Sequence, residues 1–135
     1  MAEKINIEID TNFSLLIFRV IGEPPVDDIV RAIKNRFPEH MADNAIWDLT
    51  GANLSTLDLY SFAKIADAGQ KVAQYRRPGS RTAIISNGTA ERLLLKVYTS
   101  LSEMSGSPID YKIYSDRADG LDWVRELSYP PKAGQ

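Results

Sequence analysis

Ile5, Ile7 and Ile9 alternate with Asn6, Glu8 and Asp10. This period of two predicts a half-buried strand at a sheet edge. Asp10, Thr11 and Asn12 read as a turn. Leu15, Leu16, Ile17 and Phe18 follow without alternation, and the apolar run reaches Val20 and Ile21. A short continuous run suits a strand covered on both faces. The two segments together predict a hairpin.

Gly22 to Pro25 form a connection and a helix start, since proline is tolerated in the first turn. Val26, Ile29, Val30, Ile33 and Phe37 then recur at helical spacing. Asp27 and Asp28 stand in the first turn and Lys34 and Arg36 in the last, both favourable to the helix dipole. Pro38 is the expected stop.

Strand and helix signals alternate from there on. Residues 45–49 (Ala-Ile-Trp-Asp-Leu) predict a third strand, and residues 50–54 a loop in which Gly51 permits a tight turn. Ser55 or Thr56 is the expected helix cap, with Asp58 completing an approximate capping box. Leu59, Phe62, Ala63, Ala66 and Ala73 are the expected apolar face of the second helix. Its small residues, and Gly69, suit close packing on a neighbour. Residues 75–80 read as an exposed connection and residues 82–85 as a fourth strand. Ser86-Asn87-Gly88 leads into a third helix with Ala90, Leu93, Leu94, Val97, Tyr98, Leu101 and Met104 on its face. Gly106 and Pro108 end it. Ile109, Tyr111 and Ile113 alternate as a fifth strand. Ser115 or Asp116 caps a last helix carrying Ala118, Leu121, Val124 and Leu127.

The resulting order is β-β-α-β-α-β-α-β-α. It predicts an α/β fold with a mixed five-stranded sheet and four helices, mostly parallel after the first strand. A single domain over residues 1–128 is expected, with residues 129–135 a flexible tail.

Composition narrows the function. The chain has 135 residues, 44% hydrophobic and 25% charged, which is globular composition. The formal net charge of −2 gives little general attraction to nucleic acid, and no nucleic-acid partner is expected. The absence of cysteine excludes disulfides, thiolate catalysis and cysteine-ligated metal. No segment is apolar and long enough to cross a bilayer. Residues 1–4 lack an apolar signal segment, so cytoplasm is the expected compartment.

In a sheet of this kind ligands approach the carboxyl ends of the parallel strands. Three loops qualify, at residues 48–56, 86–89 and 114–116. Each leads into a helix amino terminus, which can hold an anion. Their Ser, Thr, Asn and Asp content is also simply what caps helices. Asp48 ends an apolar strand, and a carboxylate buried there needs a partner. Anchoring the loop through backbone N–H groups is its first expected role. The dinucleotide fingerprint, the phosphate loop and the nucleophile elbow are all missing. His40 is the only histidine, placed in a surface loop near Glu39 and Asp43 without metal-loop spacing. No cofactor and no metal are expected. Asp48 with Asp116 is the pair to inspect for carboxylate chemistry. Lys71, Arg76, Arg77 and Arg81 form a local basic cluster beside Tyr75, and Trp123 and Tyr129 an aromatic pair near the carboxyl end.

The string from residue 5 to 127 resembles the STAS superfamily, and within it the SpoIIAA-like group of small STAS/SEC14-type bacterial proteins. The resemblance rests on the order of elements and on residues 45–52 (Ala-Ile-Trp-Asp-Leu-Thr-Gly-Ala) followed by a polar loop and a helix. Residues 82–86 and 109–127 also fit. The resemblance implies a domain that binds a partner kinase and is switched by phosphorylation. The family serine lies in an Asp-Ser pair at the start of the helix after the third strand. Matched through residues 47–51, that pair falls on Thr56-Leu57. Leucine has no hydroxyl to phosphorylate, so Ser55 or Thr56 becomes the expected acceptor. The SEC14-type likeness implies instead a lipid or other small apolar ligand, in a shallow groove or at a dimer interface.

Two readings of function follow. The first is a non-catalytic regulatory domain that docks a protein partner through the 50–58 loop and the next helix, using Asp48, Thr50, Asn53, Ser55, Thr56 and Asp58. The second is a site for a small anionic or amphipathic ligand, using Arg76, Arg77, Asn87 and Ser115. An enzyme built on Asp48 and Asp116 is a third. A homo-oligomer joined through the exposed hairpin edge is the remaining alternative.

Overall fold

The computed structural model describes residues 5–40, 42–55, 57–104 and 106–126. The expected hairpin is present: β1 (Ile5–Asp10) pairs antiparallel with β2 (Leu15–Gly22), Ile7 opposite Phe18. Next come α1 (Val26–His40), β3 (Asn44–Ala52), α2 (Leu59–Val72), β4 (Arg81–Ile85), α3 (Thr89–Met104), β5 (Asp110–Tyr114) and α4 (Arg117–Arg125). The strands lie in sequence order in one sheet, parallel from β2 onward. The architecture is the mixed α/β sheet expected from the alternation of periods.

Strand β2 is apolar from Leu15 to Phe18 because both of its faces are covered there, whereas Arg19 and Ile21 near its end are exposed. Leu16, Phe18 and Val20 point into the larger core beneath α1, α2 and α3. Leu15 and Ile17 point into a smaller core beneath α4. The first three helices connect neighbouring parallel strands with one handedness, which puts them on one face. Helix α4, which follows the last described strand, packs beneath the other face. It comes very close: a methyl group added at Gly120 would stand 2.5 Å from Ile85 Cδ1 and 3.3 Å from Ala83 Cβ. Gly120, Trp123 and Val124 are therefore the buried face of α4, and Ala118 is exposed.

Helix α2 keeps part of its expected face, with Phe62 and Ala73 buried and Ala66 packed on the core, but is turned toward its larger side chains. Phe62, Ile65, Ala68 and Val72 are buried, whereas Leu59 is 58% exposed and Ala63 lies outside. The larger side chains remove more apolar area from water than the alanines would, and they set the rotation. Helix α1 runs through Pro38 to His40. So near the end, proline forfeits only one ladder hydrogen bond. The His40 side chain lies outside the described residues, as do Thr56, Leu127, Tyr129 and the tail, and the side chains of Ala90 and Leu94.

The 75–80 connection is only partly the exposed segment its composition suggests: Tyr75, Pro78 and Gly79 are exposed, but two of its residues are buried. Ser80 is fully buried and Arg76 is 7% exposed. The guanidinium of Arg76 donates to the carbonyl of Asp43 at 2.6 Å, to Thr82 Oγ1 at 2.8 Å and to the carbonyl of Arg81 at 3.3 Å. It also lies over the Phe37 ring. Asp43, fully buried, accepts the Arg77 N–H at 3.1 Å, and its carboxylate is 3.6 Å from Arg77 Nε. Asn44 joins the hairpin turn to β4, donating to the Phe13 carbonyl and accepting from the Arg81 N–H. This polar network pins together the amino-terminal ends of β2, β3 and β4.

Candidate functional site

The opposite end of the sheet carries the loops in which ligand or partner contacts were expected. Gly22 ends β2 in the left-handed region (φ 77°), which a residue with a side chain rarely adopts. Its carbonyl accepts the Asn53 N–H at 2.7 Å. The Asn53 side chain donates to Glu23 Oε1 at 2.9 Å and accepts the Ser55 N–H at 3.0 Å. The β2–α1 and β3–α2 loops are thereby tied to each other.

Apolar anchors continue the work. Leu54 and Leu57 are buried, and they line a cavity of about 50 Å³ with Trp47, Phe62, Leu95 and Tyr98 among others. That volume is well below the roughly 300 Å³ at which small-molecule pockets begin. The cavity is a packing gap in the main core and too small for a lipid. Burial, followed by the neighbouring Tyr111, pushes the Tyr98 phenol well above its ordinary value, so this wall stays uncharged.

Two residues that the sequence reading passed over complete the frame. Glu91, in the first turn of α3, accepts the Leu54 N–H at 3.4 Å and approaches Ser86 Oγ at 3.5 Å. Arg92 donates to Ser115 Oγ. The four loops at this end are thus linked in series, from Glu23 through Asn53 and Glu91 to Ser115. The available signal was an acidic residue followed by a basic one in a first helical turn. Their reach to other loops is tertiary and leaves no mark in local spacing.

Asp48 is 5% exposed and takes the anchoring role expected of it. Its Oδ1 accepts the Thr50 N–H at 3.1 Å and the Thr50 hydroxyl at 2.7 Å. Arg117 Nη1 stands 3.7 Å from the other oxygen, and Arg117 also reaches Glu8. Asp116 instead caps α4, accepting the Ala118 N–H. The charged side chain beside Asp48 is thus a cation, Arg117, and Asp116 is engaged as a helix cap. Among the described residues no cluster of three or more metal-ligating side chains occurs.

Helix α2 begins later than the capping expectation put it. Asp58, not Ser55, is its N-cap and accepts both the N–H and the hydroxyl of Ser61. Those two bonds, the backbone one foremost, hold the Asp58 carboxyl below the usual range. The residue at the helix start is Leu59, which has no hydroxyl, and Leu57, onto which the family resemblance put the serine, is buried. Ser55 is exposed in the loop above.

The anion set does not assemble. Arg76 and Arg77 precede β4, while Asn87 follows it, so they lie at opposite ends of the strand. Arg76 is also enclosed by its own carbonyl partners, and the exposed-cluster expectation for it is corrected. Asn87 and Ser115 are exposed at the carboxyl end, where Arg92 supplies the cation. The residues brought together are Asp48 with Thr50, and Asn53 with Ser55 and Asp58 along one anchored loop.

No protein-family model matches the sequence, and no curated protein matches it either. Solved structures do. The fold is similar to that of an uncharacterized DUF3478-family protein with a SpoIIAA-like fold from Shewanella loihica. The TM-score is 0.60 at 22% identity, over 89% of this chain and 91% of that one. An anti-sigma factor antagonist from Mycobacterium paratuberculosis gives a TM-score of 0.63 at 17% identity, covering 90% and 92%. The anti-sigma factor antagonist SpoIIAA, in its unphosphorylated form, gives 0.56 at 16%, covering 91% and 99%. The chain has the SpoIIAA-like fold that the order of elements implied. Among the described residues no helix is long and apolar enough to cross a membrane.

Proposed function

We propose that this chain is a non-catalytic regulatory domain that docks a protein partner through the 50–58 loop and the first turn of α2. The observation that carries the reading is the exposure of Leu59 and Tyr60, 58% and 71%, directly after the Asp58 cap. Apolar side chains on a surface are ordinary when scattered. These two are adjacent in the first turn of α2, directly after a loop whose position is fixed from within by Leu54, Leu57 and Asn53. A pre-positioned aromatic and aliphatic pair loses little entropy on binding and can act as an anchor. Thr50, Asn53 and Ser55 supply an exposed polar rim.

Two of the structural neighbours are antagonists named for acting on a protein, which supports a protein partner. Asp58 gives the helix start a permanent negative charge, and Leu59 removes a hydroxyl there. Docking is therefore expected to need no phosphate at the helix start, and Ser55 is an exposed hydroxyl through which the loop would be modified, the Thr50 hydroxyl being engaged by Asp48.

The test is native affinity capture with the wild-type chain and a Leu59→Asp, Tyr60→Asp variant, read by mass spectrometry for proteins and small molecules. A stoichiometric partner lost in the variant, with the fold intact by circular dichroism, supports the reading. Unchanged recovery of every partner overturns it. A stoichiometric small molecule retained by the variant would transfer the function to a ligand site elsewhere.

A further inference from the structure

Helix α3 has an outer face unlike that of α1. Leu95, Tyr98 and Ser102 are buried against the rest of the domain. Directly opposite, Leu93, Val97 and Met104 are 61%, 41% and 85% exposed. Spacings of four and seven put them in one stripe along the helix, with Ser100 on the same line. On α1 the corresponding outward positions are Asp27, Arg31, Lys34 and Asn35, as expected of a helix facing water. The α3 stripe lies outside the 50–58 loop and α2, and the docking reading above does not use it.

Charge along the stripe identifies an occupant. Lys96 and Glu103 are both exposed, each one position before an apolar stripe residue, Val97 and Met104. Seven residues apart, they lie on the same flank of the helix, one toward each end of the stripe. A second copy of α3 laid antiparallel across a two-fold axis would set Leu93 against Met104 of the second copy and Val97 against Ser100. On the flank, Lys96 would meet Glu103 of the second copy, and the symmetry would repeat that pair. In a parallel two-fold pair each flank residue lies on the opposite side of the seam from its own copy, so Lys96 and Glu103 would make no such ion pair. The helix face is thus self-complementary in the antiparallel sense, as an isologous interface requires.

We propose that α3 is a homodimerisation surface, pairing antiparallel with α3 of a second copy of this chain. The stripe from Leu93 to Met104 is about 16 Å long. One helix pair over that length covers less than the roughly 1,600 Å² of a standard interface. Association is therefore weak and concentration-dependent, with a dissociation constant on the order of 10–100 μM.

Sedimentation equilibrium of the purified chain, from about 1 μM to about 1 mM, tests this. The expected result is a monomer–dimer equilibrium that Val97→Asp abolishes. Lys96→Glu and Glu103→Lys each weaken it about tenfold, and the double variant restores it. All these positions are exposed, and thermal melts confirm that each variant is folded. A monomer throughout the range overturns the proposal, as does a dimer indifferent to Val97→Asp. Failure of the double charge swap to restore association overturns the antiparallel arrangement. A chain that stays monomeric but co-sediments through Leu93 and Val97 with phosphatidylcholine–phosphatidylglycerol vesicles assigns the stripe to a membrane surface instead.

Discussion

The two ends of the parallel sheet use similar residue types in opposite ways. At the amino-terminal end, Asp43, Asn44, Arg76 and Thr82 are buried, and their polar atoms bond to one another and to carbonyls. At the carboxyl-terminal end, Thr50, Asn53, Ser55 and Asp58 are exposed, and the loop that holds them is anchored by leucines. Buried polar groups must be paired or they cost stability. Exposed ones remain available to a partner. The first end is a clamp, and the second is a displayed surface.

Breaking the clamp has the largest expected effect. Arg76→Ala removes a buried cation with several acceptors and destabilises the fold by about 3–5 kcal/mol, measured by urea unfolding. Arg76→Lys does not rescue it, because an ammonium cannot reproduce the guanidinium fork. Next comes the anchor of the displayed loop. Leu57→Ala costs about 2–4 kcal/mol by enlarging the cavity it lines. Faster amide hydrogen exchange confined to residues 53–58 shows the loop released.

Asp58→Ala has a smaller effect, a lower melting temperature through loss of the cap. The Asp58 carboxyl is held below the usual range in the folded chain, so its contribution is present above the unfolded-state value. It is lost as the pH falls through the lowered folded-state value, in acid below about pH 4. The difference in melting temperature between wild type and Asp58→Ala narrows across that window. Tyr60→Ala changes stability least, within about 0.5 kcal/mol. It weakens partner capture all the same, which separates display from clamping.

Much of the frame was legible in residue order. The hairpin, the alternation of periods and the apolar first half of β2 come directly from side-chain pattern. Asp48 could be read as a loop anchor because a carboxylate at the end of an apolar strand needs donors. Arg76 could not be read, because the same Arg-Arg pair serves equally on a surface or in a clamp. Its role depends on Asp43 and Thr82, which other segments bring to it. The face of α2 was misjudged in part for a related reason: its alanines and its larger apolar side chains mark competing faces, and packing against the sheet selected the latter.

The sequence by itself determined the alternation of strand and helix, the covered start of β2 and the exclusion of cysteine chemistry, since these depend on local period and residue type. The tertiary structure alone decided which arginines are buried, where α2 begins and that α4 closes over the second face. It also left Leu59, Tyr60 and the α3 stripe facing water. Those outcomes depend on contacts between segments far apart in the chain, where burial and pairing, not propensity, set the free energy.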